Sequence, residues 1–399
     1  MMSAQLRYKT NFTLRGTTIS FDFDTVIDRR HTDSLKWDKY KDRDILPLWV
    51  ADMDFCSPPA VIEALRKRVD HEVFGYTLPP QELVETVVEM LAEEFNWCVK
   101  PSWLVWLPGL VTGLNVTCRA VGNDGDAVLT MTPVYPPFLS APGLSGRKLI
   151  TVPLAENNNL WSIDFTALEK AITPRTRLLL LCSPQNPVGR VFSKEELLQL
   201  AALAEKHDLV VCADEIHNGL LLDQDKQHIP FATLGDDAAQ RAITLIAPSK
   251  TFNLPGFGCS LAIIENPSLR ARFQKAMAGI VPYVNVLGYT AALAAYRDSR
   301  KWRQALLDYL RENCQLVTQA VTEMHGISMA PVEATYLAWL DCRAANIDNP
   351  ATFFEAAGVG LSDGAEFGLP GFVRLNFGCP RATLQEALTR MQNALNNQN

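Results

Sequence analysis

Seven short runs of apolar residues, separated by segments with helical periodicity, lie between residues 103 and 264 of this 399-residue chain. The runs are 103–107, 126–131, 148–153, 178–182, 209–213, 242–247 and 259–264. Continuous apolar strands that alternate with helices are typical of a largely parallel sheet covered by helices on both faces. The pattern therefore predicts an α/β fold with a mostly parallel seven-stranded sheet. Ligands of such sheets bind beyond the carboxyl ends of the strands.

The pattern changes after about residue 290. A long helix over about 298–324, strands at 335–341 and 372–376 and a closing helix at 381–395 indicate a smaller α+β region. Residues 1 to about 45 are polar, and we interpret them as irregular. We expect a large domain over 46–292 and a small domain that combines 1–45 with 293–399.

Composition narrows the choice of partners and compartment. A formal net charge of −7 argues against nucleic acid or an anionic membrane as the main partner. The nine cysteines and six histidines show no metal-ligand spacing, so we expect no metal site and reduced thiols. The N-terminus lacks the apolar segment of a signal peptide, and no run of about 18 residues stays apolar. We therefore expect a soluble cytoplasmic protein.

Polar side chains follow three successive strands of the predicted sheet. Asn186, Asp214 and Lys250 each come close after the end of an apolar run. Because parallel strands end at the same edge, an amide, a carboxylate and an amine are expected to meet there. A lysine in a dry cleft loses its proton more readily and can bond covalently to a carbonyl carbon.

Each of these residues also has an ordinary structural interpretation. A lysine at a strand end usually reaches solvent. Asp214 could cap the next helix, since carboxylates favour helix N-termini. Asn186 lies between two prolines, which is a common turn signal, and a cis Asn186–Pro187 bond is plausible.

Further candidates come from the same edge and from the C-terminal region. The turn 108–113 leads into a helix whose first amides could bind phosphate, although such turns usually serve packing. Tyr135 could be a packing residue of a proline-rich turn. Arg374 could be a surface arginine of a strand, and His217 a histidine of the core.

These residues and their order along the chain match the pattern of a known enzyme superfamily. Tyr135, Asn186 in SPQNPVG, Asp214 in ADEIH, Lys250 in SKTFN and Arg374 in FVRLNFGCPR resemble the aspartate aminotransferase superfamily of fold-type I enzymes, which use pyridoxal 5′-phosphate (PLP). The segments VADMDF (50–55), VFGYT (73–77), DEIH (214–217), ATYLAWLD (334–341) and RLNFGCPR (374–381) resemble, more narrowly, the MalY/PatB-like cystathionine β-lyase (C–S lyase) family. The resemblance extends from about residue 21 to 395.

The resemblance implies PLP as the cofactor and a fold of large and small domains. Lys250 would bind PLP covalently and later move protons at the substrate Cα. Asp214 would pair with the pyridine nitrogen, and Asn186 would hydrogen-bond the ring oxygen. Tyr135 would stack on the ring and place its hydroxyl near the reacting atoms.

Other matching residues would hold the two ends of the site. Leu110, Val111 and Ser249 would contribute to the phosphate cradle, and His217 would support the cofactor from beneath. Arg374 would bind the substrate α-carboxylate, for which its planar fork is suited. Tyr76 would reach the phosphate of the neighbouring subunit, so the resemblance implies a homodimer.

Two positions depart from the pattern of typical aminotransferases. Many of those enzymes carry a serine three residues before the lysine and an arginine eight residues after it, and here these positions are Ala247 and Gly258. No second arginine for a side-chain carboxylate stands out, and Arg29, Arg30 and Arg43 are candidates by position only. The departures favour the lyase branch over the aminotransferases.

The expected function is that of a PLP-dependent carbon–sulfur β-lyase. It would cleave L-cystathionine or related S-substituted cysteines to pyruvate, ammonia and a thiol. A class I/II aminotransferase is the main alternative, because it shares every cofactor residue. A PLP-bearing regulatory protein that binds a partner is a further alternative.

Overall fold

A mixed seven-stranded sheet forms the centre of the computed structural model, which describes residues 10–14 and 17–397, with side chains from residue 21 onward. In order across the sheet, its strands are Leu104–Leu107, Ser260–Ile263, Ala242–Ile246, Val210–Asp214, Thr176–Cys182, Ala127–Thr132 and Lys148–Pro153. The strand Ser260–Ile263 runs antiparallel to both neighbours, and the other neighbouring pairs are parallel. The predicted strands and the mostly parallel sheet are confirmed.

Helices cover both faces of this sheet. They are Pro59–Val69, Gln81–Phe95, Leu110–Ala120, Pro136–Leu144, Phe165–Ala171, Lys194–Lys206, Asp236–Arg241, Pro267–Met277 and Val286–Asp298. In the strand Thr176–Cys182, Leu178 and Leu180 belong to one apolar core, whereas Leu179 and Leu181 belong to the other. Burial of both faces explains why these strands read as continuous apolar runs.

A second, four-stranded antiparallel sheet occupies the C-terminal region. In order, its strands are Ser328–Met329, Leu337–Asp341, Phe372–Asn376 and Ser362–Asp363, and its helices are Arg300–Glu323, Pro350–Ala356 and Arg381–Asn396. The predicted long helix begins at Arg300, since Ser299 separates it from the preceding helix. The short strand Leu46–Pro47 pairs in parallel with Val359–Gly360, which ties the start of the predicted large domain to the C-terminal region.

The N-terminal region contains regular structure that the sequence interpretation missed. Strand Thr10–Leu14 pairs antiparallel with Thr17–Phe21, and Leu35–Asp38 forms a short helix. Both strand segments are rich in β-branched threonines and flank a glycine, which is a hairpin pattern. The interpretation of 1–45 as irregular was therefore wrong for these residues, while residues 1–9, 15 and 16 lie outside the described ones. Within the described part of the chain, the helices lack the length and hydropathy needed to cross a bilayer.

Candidate functional site

A cavity of about 260 Å³ lies at the carboxyl ends of the central parallel strands. It is lined by the predicted site residues Leu110, Val111, Tyr135, Asn186, Asp214, His217, Ser249, Lys250 and Arg374. Of the predicted site residues, Tyr76 lies elsewhere. The structure therefore brings the amide, the carboxylate and the amine together, as the strand-end argument predicted. The functional roles assigned to these residues stay predictions.

Lys250 follows the strand Ala242–Ile246 and extends into the cavity. Its Nζ atom donates a hydrogen bond to the Ala51 carbonyl oxygen at 2.7 Å. Burial and the nearby Arg374 guanidinium lower the pKa of Lys250 to about 8, against the opposite effect of Asp52 and Asp214. The neutral fraction of this amine at neutral pH, about a tenth, is therefore far larger than that of an ordinary lysine, and the neutral amine is the form that acts as a nucleophile or proton acceptor.

Asp214 is the last residue of the strand Val210–Asp214 and is 5% exposed. Its Oδ1 atom accepts a hydrogen bond from the Ile216 amide at 3.1 Å. Burial raises the pKa of Asp214 to about 7, although the Ile216 amide and Lys250 act in the opposite direction. Asp214 is buried, and the Ile216 amide is the donor described for its carboxylate, so a protonated ring nitrogen would be a suitable further partner.

Arg374 reaches the cavity from the second sheet, in the strand Phe372–Asn376, and is 4% exposed. One guanidinium nitrogen donates to the Asn186 side-chain oxygen at 3.0 Å, and another donates to the Trp49 carbonyl oxygen at 2.9 Å. Its Nε atom is buried without a partner among the described residues. Burial lowers the pKa of Arg374 to about 10, so the side chain stays protonated at neutral pH. The surface-arginine interpretation does not hold.

His217 and Tyr135 are buried beside these charged groups. Burial, together with Lys250 and Arg374, lowers the pKa of His217 to about 3, so its ring is neutral. Its Nδ1 atom finds no partner in the described part of the chain. Burial raises the pKa of Tyr135, so its hydroxyl keeps its proton at neutral pH. Both side chains can therefore act as neutral hydrogen-bonding groups.

The start of the helix Leu110–Ala120 forms one end of the cavity, together with Ser249. Helix N-termini bind anions through free amides and the helix dipole. Ala247 and Gly258 line the same cavity and bring no charge to it. Gly258 has a φ of +57°, and a Cβ atom there would lie 2.8 Å from the Pro108 carbonyl oxygen. The backbone of this chain therefore leaves no room for an arginine at that position.

The three arginines proposed by position do not line the cavity. The Arg29 guanidinium pairs with Asp52 at 2.9 Å and with Asp54 at 2.6 Å. Arg43 pairs with Glu355, and Arg30 lies over the Trp37 ring. Among the described residues, Arg374 is therefore the arginine that lines this cavity.

Tyr76 is fully exposed and lies outside its own chain's cavity. Together with Phe74 and Tyr283 it lines a separate surface groove formed by residues 74–77 and 282–287. Sequence reasoning also missed residues that do line the cavity. Val50 and Ala51 belong to its wall, although the motif VADMDF that contains them was noted without a role.

The residues of this cavity fit PLP. Lys250 offers an amine to an aldehyde, and the buried Asp214 carboxylate suits the proton of a pyridine nitrogen. The start of the helix Leu110–Ala120 offers amides and a positive dipole end to a phosphate. Within the described residues, no group of three or more metal-ligating side chains occurs.

Comparisons with known proteins agree with this geometry. The profile of the family "Aminotransferase class I and II" matches residues 43–391. Cystathionine beta-lyase PatB of Bacillus subtilis (strain 168) is 38% identical, and the alignment covers 94% of this chain and 100% of PatB. The crystal structure of OvoB is 49% identical with a TM-score of 0.92, and 94% of this chain and 99% of that chain are covered.

The crystal structure of cystalysin from Treponema denticola, which contains a PLP cofactor, is 36% identical with a TM-score of 0.91. The alignment covers 95% of this chain and all of that chain. Both the expected fold type and the expected cofactor are confirmed. The chain belongs to the aminotransferase class I and II family of PLP-dependent enzymes, and within it to the relatives of PatB.

Proposed function

We propose that the protein is a PLP-dependent carbon–sulfur β-lyase that acts on L-cystathionine or related S-substituted cysteines. The observation that carries this proposal is the pairing, in one cavity, of an amine with a pKa near 8 and a buried guanidinium. The first can move a proton at Cα, and the second can bind an α-carboxylate. The name of PatB, a cystathionine beta-lyase, supports the choice of reaction.

PLP, when bound, supplies the electron sink that stabilises negative charge at the Cα atom of an amino acid. Arg374 binds the α-carboxylate and so orients the Cα–H bond towards Lys250. The Lys250 amine accepts the Cα proton. Asp214 would hold the ring nitrogen of bound PLP in its protonated form by accepting a hydrogen bond from it. The Cβ–S bond would then break with its electron pair on sulfur, and the leaving thiolate would take a proton from Lys250 or from the Tyr135 hydroxyl. The remaining three-carbon fragment would react with water to give pyruvate and ammonia.

Substrate binding also tunes the proton acceptor. The positive charge of Arg374 holds the pKa of Lys250 down in the structure, second to the effect of burial. A bound carboxylate cancels much of that charge, since opposite charges a few ångströms apart interact strongly in a buried site. Lys250 therefore becomes more basic when the substrate arrives, which is when it has to accept a proton.

The proposal is tested by an assay that separates elimination from transamination. The purified, PLP-loaded protein is mixed with L-cystathionine in the absence of any keto acid. We expect pyruvate and free thiol to appear in equal amounts, because elimination needs no second substrate. Consumption of the amino acid only after a keto acid is added would instead indicate an aminotransferase. No consumption under either condition would favour the regulatory binding protein.

We also propose that the protein acts as a homodimer in which Tyr76 completes the phosphate end of the neighbouring subunit's site. Support comes from exposed apolar side chains that lie in the groove formed by residues 74–77 and 282–287, or close to it in sequence. They are Val73, Phe74, Tyr76, Leu78, Ile280 and Tyr283, all more than half exposed. Large exposed apolar patches are typical of interaction surfaces. In addition, Lys250 and Arg374 are the cationic side chains that line the cavity among the described residues, and neither belongs to the start of the helix Leu110–Ala120.

A mixing experiment tests this arrangement. Tyr76→Ala and Lys250→Ala should each have little activity alone. A co-expressed mixture should regain about one quarter of the wild-type activity, because half of the dimers are hybrids and one of the two sites in a hybrid is intact. If Tyr76 served its own chain's site, both sites of a hybrid would be defective and the mixture would stay inactive. A size measurement of each protein checks that dimers form.

A further inference from the structure

The segment 49–55, called the strap here, contains the motif VADMDF and forms part of the cavity wall through Val50 and Ala51. Most of its backbone oxygens are held by side chains from distant parts of the chain. The donors to Trp49 are Ser362 (2.7 Å) and Arg374 (2.9 Å), and Asn376 donates to Val50 (2.6 Å) and Asp52 (2.7 Å). Further donors are Lys36 to Asp52 (3.2 Å), Arg29 to Met53 (3.3 Å), and Asn253 to Met53 and Phe55 (2.9 Å each). Both sheets therefore contribute to the position of the strap.

The Ala51 carbonyl oxygen lies at the centre of the strap and accepts two hydrogen bonds. One comes from the Lys250 amine at 2.7 Å and the other from the Tyr336 hydroxyl at 3.0 Å. A carbonyl oxygen has two lone pairs, so both acceptor directions are in use. Tyr336 is 1% exposed and belongs to the motif ATYLAWLD, for which the sequence indicated no role.

We propose that Tyr336 is a positioning residue, which fixes the Ala51 carbonyl oxygen as the docking point of the free Lys250 amine. The Tyr336 hydroxyl fills one lone pair of this oxygen and leaves a single direction for the amine. Lys250 is thereby held at one place on the cavity wall whenever it is not bonded to the cofactor. The inference rests on the proposed role of Lys250 as the proton carrier, but not on which reaction follows.

Tyr336 should also influence how readily Lys250 takes up a proton. Its hydroxyl competes with the ammonium for the electron density of the Ala51 oxygen. Removing the hydroxyl frees a lone pair and favours the ammonium form. The other charged and titratable groups around the amine are Arg374, Asp52, Asp214, His217 and Tyr135, and the substitution leaves their identities unchanged.

The test uses Tyr336→Phe in the full-length chain freed of cofactor. The rate at which acetic anhydride acylates Lys250 is followed against pH by mass spectrometry, since only the neutral amine reacts. We expect the midpoint to rise by about 0.5–1 pH unit, the size of one net hydrogen bond. We also expect faster hydrogen exchange in the peptide that contains the strap.

Tyr309→Phe is the matched control. Tyr309 is also a buried tyrosine, 4% exposed, and its hydroxyl makes two bonds, to Asp24 (2.7 Å) and from the Arg381 amide (2.8 Å), but none to the strap backbone. The control should lower the melting temperature about as much as Tyr336→Phe and leave the Lys250 midpoint in place. Equal midpoints in wild type and Tyr336→Phe, or equal shifts in both variants, would overturn the proposal.

A second variant covers the case in which Tyr336→Phe does not fold. Lys250→Met removes the other donor to the Ala51 oxygen, and the strap should exchange several-fold faster in this cofactor-free chain. Unchanged exchange there would contradict the docking point. The labelling and exchange measurements do not depend on turnover. A negative lyase assay would therefore not contradict the proposed role of Tyr336, and a negative labelling result would not contradict the proposed lyase activity.

Discussion

Lys250→Ala is expected to reduce pyruvate production from L-cystathionine by about 10²–10⁴-fold or more, the range lost with a general acid–base group. The structure gives the reason. Among the described residues, Lys250 is the lysine that lines the cavity, and burial lowers its pKa to about 8. Its removal leaves the Cα proton without an acceptor, while Arg374 still binds the α-carboxylate. The measurement is the initial rate of pyruvate formation at saturating substrate.

Lys275→Ala is the control for this substitution. Lys275 lies exposed in the last turn of the helix Pro267–Met277, and its removal should leave the rate within about twofold of wild type, as surface substitutions usually do. Melting temperatures of both variants separate lost chemistry from lost folding. Pyruvate production by Lys250→Ala at the wild-type rate would refute the assignment of this lysine.

The central sheet could be predicted because its inner strands are buried on both faces and so appear as unbroken apolar runs. The same reasoning placed Asn186, Asp214 and Lys250 together, since parallel strands end at one edge. The N-terminal hairpin was missed because its strands alternate polar and apolar residues and carry no such run. The assignment of two domains, 46–292 and 1–45 with 293–399, stays a prediction, as does the cytoplasmic location.

Contacts that depend on tertiary structure could not be derived from the residues alone. Arg374 bonds to Asn186 from a separate sheet, 188 residues away, and only the family resemblance indicated its role. The Lys250 amine donates to the backbone oxygen of Ala51, and the residue types along a sequence do not indicate which backbone oxygen will act as an acceptor. Likewise, the close approach of the Pro108 carbonyl to Gly258 follows from backbone geometry and not from the residue types.

Asp214→Asn is expected to have opposite effects on PLP binding and on the stability of the cofactor-free chain. PLP affinity and pyruvate production should fall at least about tenfold, because the protonated ring nitrogen loses a buried carboxylate, an interaction of a few kcal/mol. Equilibrium dialysis of PLP and the pyruvate assay measure these losses. The cofactor-free chain, by contrast, should gain stability at pH 8.

The sign of this gain follows from linkage between protonation and folding. Burial raises the pKa of Asp214 from 3.8 to about 7, so the folded chain holds this proton more tightly than the unfolded chain. The resulting stability is fully present below pH 4 and is lost as the pH rises through 7. Asparagine carries no proton to lose. The free energy of unfolding of the variant should therefore exceed that of wild type at pH 8 by an amount on the order of a few kcal/mol, and match it near pH 4.

Asp126→Asn supplies a control with the opposite sign. The Asn123 amide and the Arg175 guanidinium lower the pKa of Asp126, so its contribution to stability is present above the unfolded pKa and is lost as the pH falls. This variant should be less stable than wild type at pH 8, with PLP affinity unchanged. Urea unfolding of the cofactor-free proteins at pH 4 and pH 8 measures both differences. If Asp214→Asn also lost stability at pH 8, the Asp214 carboxylate would stabilise the cofactor-free chain. This result would contradict our expectation that the buried carboxylate destabilises that chain at pH 8.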